Sequence, residues 1–106
     1  MQKKSSRVSF ILENILGCKW SLHILGVIRR GVIRPGKLKR TAEGLTTKVM
    51  NERLKKMQRF GILAKKSFPV IPLKVEYHLT PFGRQFIQLL DHVEKLERKL
   101  KTKRIA

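Results

Sequence analysis

From Thr46 to Lys56 the chain reads TTKVMNERLKK, and its polar groups are of several kinds. Thr46 and Thr47 carry hydroxyls, Lys48 an ammonium, Asn51 an amide and Glu52 a carboxylate. No nucleophile stands beside a base here, and the groups form no catalytic set. They do form a hydrogen-bonding set suited to the edges of base pairs in a duplex groove, where an amide bonds adenine through two atoms. Asn51 leads these five base-reading candidates. Two of them also have plainer uses: Thr46 can cap a helix, and Glu52 can pair with Lys48 or Lys56.

A second set of residues carries charge rather than pattern. The sequence holds 25 Lys and Arg against 7 Asp and Glu, a formal net charge of +18 with pI near 11.1. Self-repulsion of that size destabilises a compact chain unless a polyanion sits beside it. Lys19, Lys37, Lys39, Arg40, Lys55, Lys65, Lys66 and Lys74 are the candidates for phosphate binding. Each phosphate neutralised steepens the fall of log K with log salt by about 0.9, so even some of these would dominate affinity. The expected partner is double-stranded DNA. The alternative is a low-specificity architectural DNA-binding or RNA-associated basic protein, and a third reading is a protein-interaction module. A hydrophobic fraction of 42% argues against a disordered polycation. No stretch approaches the ~20 apolar residues of a membrane span.

Other chemistry is sparse. A single cysteine, Cys18, excludes an intrachain disulfide and any multi-cysteine zinc site. It reads first as a structural residue at a helix boundary, and as the alternative it is a candidate redox sensor, because Lys19 and a helix N-terminus beside it favour the thiolate. His23, His78 and His92 are far apart on different expected elements, so no metal site is expected. With no phosphate-cradling glycine loop and no spaced carboxylate pair, the expectation is a non-enzyme without cofactors. A redox or small-molecule effector stays open. The basic opening MQKKSSRVSF does not have the form of a secretion signal, and the expected location is the cytoplasm, with the nucleoid.

These residues need a scaffold, expected to be one domain over 1–106. Residues 1–7 read as a flexible basic arm with Ser5 or Ser6 as helix cap. Val8, Ile11, Leu12, Ile15 and Leu16 recur at helical spacing up to Gly17, and Lys19 to Arg30 is apolar on most faces, the pattern of a central buried helix. Val32 and Ile33 suggest a short strand, Pro35 and Gly36 a turn, and Lys37 to Glu43 a short helix ending at Gly44. A recognition helix over 46–60 follows, with Met50, Leu54 and Met57 inward. After Gly61 the period changes to that of strands, Ile62 to Phe68 and Lys74 to Leu79, with Val75, Tyr77 and Leu79 inward. Pro69 and Pro72 keep the connecting loop off the ladder, making 65–75 a wing for the DNA backbone or minor groove.

Thr80-Pro81 starts a last helix over 81–101, followed by a basic tail, 102–106. Phe82, Phe86, Leu89, Val93, Leu96 and Leu100 repeat at spacings of 4, 3, 4, 3 and 4, a heptad seam. Asp91 with Lys95, Glu94 with Arg98 and Glu97 with Lys101 are expected i,i+4 pairs. So long a seam exceeds what this domain can cover, and a second copy is the simplest cover. The expected homodimer interface comprises Ile11, Ile15, Leu89, Val93, Leu96 and Leu100. The fold class is α+β, mainly helical: a winged helix-turn-helix with an N-terminal helix and a long C-terminal dimerisation helix.

Cys18-Lys19-Trp20 followed by SLHIL, then TTKVMNERLKKMQRFGIL, then FPVIPLKVEYHLTPFG, resembles the HxlR-type winged-helix transcriptional regulators, a branch near the MarR group. The resemblance runs from about Phe10 to Leu100. Its most specific part is P-x-K-V-E-Y-x-L-T-x-x-G, Pro72 to Gly83. It implies a homodimer held by the first and last helices, recognition helices in successive major grooves and wings beside the minor groove. Some members use an N-terminal cysteine as a thiol sensor, and none stands near Arg7 and Val8 here. Arg34-Pro35-Gly36-Lys37-Leu38 also departs from the family's arginine-phenylalanine start of the first motif helix.

Overall fold

A computed structural model describes residues 7–105, with side chains through 101. The proposed Ser5 or Ser6 cap and nearly all of the basic arm lie outside the described residues. In chain order the elements are α1 (Arg7–Leu16), α2 (Lys19–Arg29), α3 (Pro35–Lys39), α4 (Thr47–Arg59), β1 (Leu63–Phe68), β2 (Lys74–Leu79) and α5 (Pro81–Ile105). The class is the one expected, mostly helical with one two-stranded antiparallel sheet.

The core forms around α2, because its apolar residues leave few polar faces to show water. Ile24, Leu25, Val27 and Ile28 are buried there, packed with Leu38 of α3, Met50, Leu54 and Met57 of α4, Ile62, Leu63, Tyr77, and Phe86 and Ile87 of α5. The chain turns by 99° between α1 and α2, which lays α1 against the same core. That corrects one expectation. Ile11 and Ile15 are 4% and 0% exposed and belong to the interior of their own protomer, so they are not available to a second copy. The exposed apolar side chains of α1 are Val8, Phe10 and Leu16.

Four further differences lie around the helix-turn-helix and the last helix. Val32 and Ile33 form no strand; the Ile33 carbonyl merely accepts one bond from the Tyr77 N–H at 2.9 Å. Pro35 opens α3 instead of turning the chain, because its fixed φ suits a first helical position and holds Arg34 before it extended at φ −99°, ψ 135°. The helix then stops at Lys39, four residues earlier than expected. Thr41 explains the stop: its hydroxyl donates to the Leu38 carbonyl at 2.6 Å, drawing the backbone into turns. The helix α5 continues through the supposed tail to Ile105.

The β1–β2 register pairs Leu63 with Leu79, Lys65 with Tyr77, Lys66 with Glu76 and Phe68 with Lys74. One junction locks this hairpin between the two long helices. The Thr80 hydroxyl accepts from the Gly83 N–H at 2.8 Å, capping α5, and donates to the Gly61 carbonyl at the end of α4. The Thr80 N–H also reaches the Ile62 carbonyl at 3.0 Å. Gly83 sits so close to Ile62 that a β-carbon would collide with its carbonyl oxygen, which is why the position tolerates no side chain.

Candidate nucleic-acid interface

The helix α4 forms where it does because both ends carry local signals. Thr46 is extended at φ −82°, ψ 157°, and its hydroxyl accepts from the Val49 N–H at 3.1 Å, satisfying one of the free donors of the first turn. At the other end Gly61 takes φ +80°, a conformation that ends the helix without strain. Between them Met50, Leu54 and Met57 are fully inside. Lys48, Asn51, Glu52, Lys55 and Arg59 fall at spacings of 3, 1, 3 and 4 on the opposite face, and all are exposed, as is Thr47. Four base-reading candidates, Thr47, Lys48, Asn51 and Glu52, thus share one solvent face. Thr46 lies at its edge and is engaged as the cap. No ion pair joins Glu52 to Lys48 or Lys56 among the described residues.

The phosphate candidates are spread over five elements. Lys37, Lys39 and Arg40 are exposed on α3 and its cap, Lys55 on α4, and Lys65 and Lys66 on β1. The register separates the last two: Lys65 shares the Tyr77 face of the hairpin and Lys66 the Glu76 face. Two candidates already have neighbours. Lys19 lies 5.0 Å from the Trp20 ring centre, and Lys74 lies 4.9 Å from the Phe68 ring centre and 3.5 Å from the Glu76 carboxylate. Glu76 also meets His78 Nε2 at 2.9 Å. The His78 hydrogen bond, with Lys74 nearby, holds its carboxyl below the usual range.

Cys18 is the N-cap of α2. Burial pushes its thiol up, but the Ser21 hydroxyl, the Ser21 and Trp20 N–H groups and the Arg53 charge outweigh that and leave it below the ordinary value. Arg53 is a residue the sequence did not single out. It extends from α4 with its Nε buried and without a hydrogen-bond partner among the described residues. Helical spacing alone puts it between the two faces of α4, which gave no reason to choose it. The histidines stay apart: His23 meets the Thr41 hydroxyl at 2.8 Å, His78 meets Glu76, and His92 is exposed on α5. No group of three metal-binding side chains gathers among the described residues.

The α5 seam divides. Phe86 is buried, Leu89 and Val93 are partly covered, and Leu96 and Leu100 are 52% and 56% exposed. Asp91 does not pair with Lys95. It takes both arms of Arg29 on α2, at 2.7 and 2.8 Å, because the fold brings a guanidinium fork within reach of both carboxylate oxygens. That fork holds the Asp91 carboxyl below its ordinary value. Glu94 and Arg98 lie 3.6 Å apart, the expected i,i+4 pair. Beside the Arg29–Asp91 pair an open groove of about 530 Å³ runs between α2 and α5, floored by Leu22, Leu25, Leu90 and Val93.

A cap-bounded helix with a polar outer face, followed by a two-stranded hairpin and packed on a three-helix core, defines a winged helix-turn-helix of the DNA-binding transcription-regulator class. The comparisons narrow this: the HxlR-like helix-turn-helix family matches residues 15–104, and the chain belongs to that family. An uncharacterised HTH-type transcriptional regulator of Synechocystis is 35% identical over 83 residues, 78% of this chain and 62% of that relative's length. The crystal structure of a candidate MarR-family transcriptional regulator from Enterococcus faecalis superposes with TM-score 0.83 at 30% identity, covering 98% of this chain and 94% of the other. The reduced form of the redox regulator HypR superposes with TM-score 0.70 at 28% identity, covering 92% and 99% of the two chains. No single helix among the described residues is long and apolar enough to cross a membrane.

Proposed function

We propose that this chain is a sequence-specific regulator that binds double-stranded DNA as a homodimer, with α4 in the major groove and the wing on the backbone or minor groove. The observation that carries the reading is the outer face of α4. Thr47, Lys48, Asn51, Glu52 and Lys55 stand exposed there while the opposite face is entirely used by the core. Asn51 reads bases, and Lys37, Lys39, Arg40, Lys65 and Lys66 hold phosphates. The dimer covers Leu89, Val93, Leu96 and Leu100 with a second α5, joined by Val8, Phe10 and Leu16 of α1 in place of Ile11 and Ile15. A chain of this charge resides with the nucleoid in the cytoplasm.

Selection from random duplexes, followed by titration of selected and scrambled duplexes at several salt concentrations, tests this. Asn51→Ala lowers the selected-to-scrambled ratio, by about tenfold for one lost two-bond base contact. Lys66→Ala weakens both duplexes alike and reduces the salt slope by about one. A ratio near unity for the wild type gives the field to the architectural reading, which the net charge of +18 favours. Cys18 is a proposed oxidation site on the strength of its lowered thiol pKa beside Arg53 of α4. Peroxide weakens DNA binding by the wild type and not by Cys18→Ser; equal responses from the two proteins end that part of the proposal.

A further inference from the structure

The five residues joining β1 to β2, Pro69-Val70-Ile71-Pro72-Leu73, carry no polar side-chain atom. All are exposed: Ile71 completely, Leu73 at 69% and Val70 at 51%. Three of the five backbone donors are missing or used, since neither proline has an N–H and the Val70 N–H donates to the Phe68 carbonyl at 2.8 Å. Lys74, the next residue, is held over Phe68 and against Glu76. No side chain of this tip can neutralise a phosphate or hydrogen-bond a base. Its chemistry is that of apolar surface, costly to leave in water at about 25 cal/mol per Å².

The surroundings say what covers it. Lys66 stands three residues before Pro69, roughly 10 Å of extended strand, against a minor groove ~7.5 Å deep. A lysine at the phosphate rim therefore brings the tip to the groove floor. Between the end of α4 at Arg59 and the start of β1 at Leu63 the chain has only three residues, so the hairpin continues directly from the proposed reading helix. The two prolines restrict the loop before binding, which lowers the entropy lost on insertion.

We propose that the wing tip is an apolar wedge: Ile71, flanked by Val70 and Leu73, enters the minor groove, opens a base step and bends the duplex. The occupant is a duplex carrying an easily unstacked pyrimidine–purine step, and the proposal rests on the DNA-binding reading above. Specificity at that step comes from deformability, since no side-chain hydrogen bond is available to read it. Affinity from the wedge is independent of salt, unlike that from the lysines behind it.

The test uses the full chain and mixed-sequence duplexes labelled at both ends for energy transfer, one with central TA steps and one with a central A-tract. The wild type shortens the end-to-end distance of the TA duplex and binds it more tightly than the A-tract duplex. Ile71→Ser, at a fully exposed position, keeps the fold, loses the bend and loses about tenfold in affinity for the TA duplex, while its salt slope is unchanged. Ile71→Val retains the bend, and Lys66→Ala keeps the bend but lowers the slope. Wild-type protein that binds duplexes without bending them, or an Ile71→Ser variant that bends them equally, overturns the wedge and leaves the DNA-binding reading intact. A wild type that binds neither duplex at low salt removes both. Binding to phosphatidylserine vesicles in preference to either duplex, lost in Ile71→Ser, assigns the tip to a lipid surface and overturns the proposal.

Discussion

The helices α4 and α5 carry the same kind of apolar stripe and end differently. Met50, Leu54 and Met57 are wholly enclosed by one chain, whereas the α5 seam is enclosed at Phe86, half covered at Leu89 and open at Leu96 and Leu100. Spacing tells which residues share a face. What covers that face depends on where the chain places its other elements, and here α2 and β1 lie over α4 while nothing among the described residues covers Leu96 and Leu100 of α5. One stripe is complete in a monomer and the other is not.

The comparison breaks most visibly at Leu54. Replacing it with Ala opens a cavity in the enclosed stripe and costs about 3 kcal/mol, read as a lower midpoint in denaturant at any protein concentration. A loss under about 1 kcal/mol would mean that α4 is not the closed element described. The matching change on the open stripe, Leu96→Lys with Leu100→Lys, leaves the unfolding midpoint of the monomer unchanged. It halves the sedimenting mass and weakens binding to a two-half-site duplex by about a hundredfold through lost avidity. A double variant that sediments as a dimer places the interface elsewhere.

The smallest effect sharpens the boundary between the two halves of α5, where Arg29 grips Asp91. A carboxyl held below its ordinary value stabilises the fold at pH above that of the free group and loses the contribution as pH falls through the folded value. Both side chains are more than two-fifths exposed, so the pair is worth no more than about 1 kcal/mol after screening. Asp91→Asn therefore lowers stability by that small amount at neutral pH, and the gap from wild type closes below about pH 4. A gap that persists in strong acid would point to lost packing instead of lost charge.

The same contrast explains what was legible in the residues. Both ends of α4 were readable because Thr46 and Gly61 act within a turn or two of themselves, and the hairpin because Pro69 and Pro72 bracket its loop. The start of α3 is not legible from sequence, since Pro35 suits a turn and a first helical position equally well. The burial of Ile11 and Ile15 within their own chain is hidden because α1 alone does not reveal that the chain bends sharply behind it. The Asp91 fork was invisible for the plainest reason: Arg29 lies 62 residues away in sequence, and Lys95 lies four. Arg53 had no local pattern to mark it. At the candidate site, the exposed face of α4 was legible from periodicity, while the division of Lys65 and Lys66 between opposite faces of the hairpin required the strand register.

The Thr80 and Gly83 junction has a mechanical meaning. With Gly83 seated against Ile62 and Thr80 tied to Gly61, the angle between α4 and α5 is set by backbone fit and has little freedom to swing. The helix α5 is 25 residues long, a rod of roughly 37 Å. The chain is then a fixed set square, and in the proposed homodimer two of them joined at the far arms would hold their α4 helices at a separation decided by where the rods cross. In that proposed arrangement a small rotation at the crossing is magnified at the duplex, so a signal that shifted the rods by a fraction of a turn would change the DNA spacing the dimer accepts without altering α4 itself.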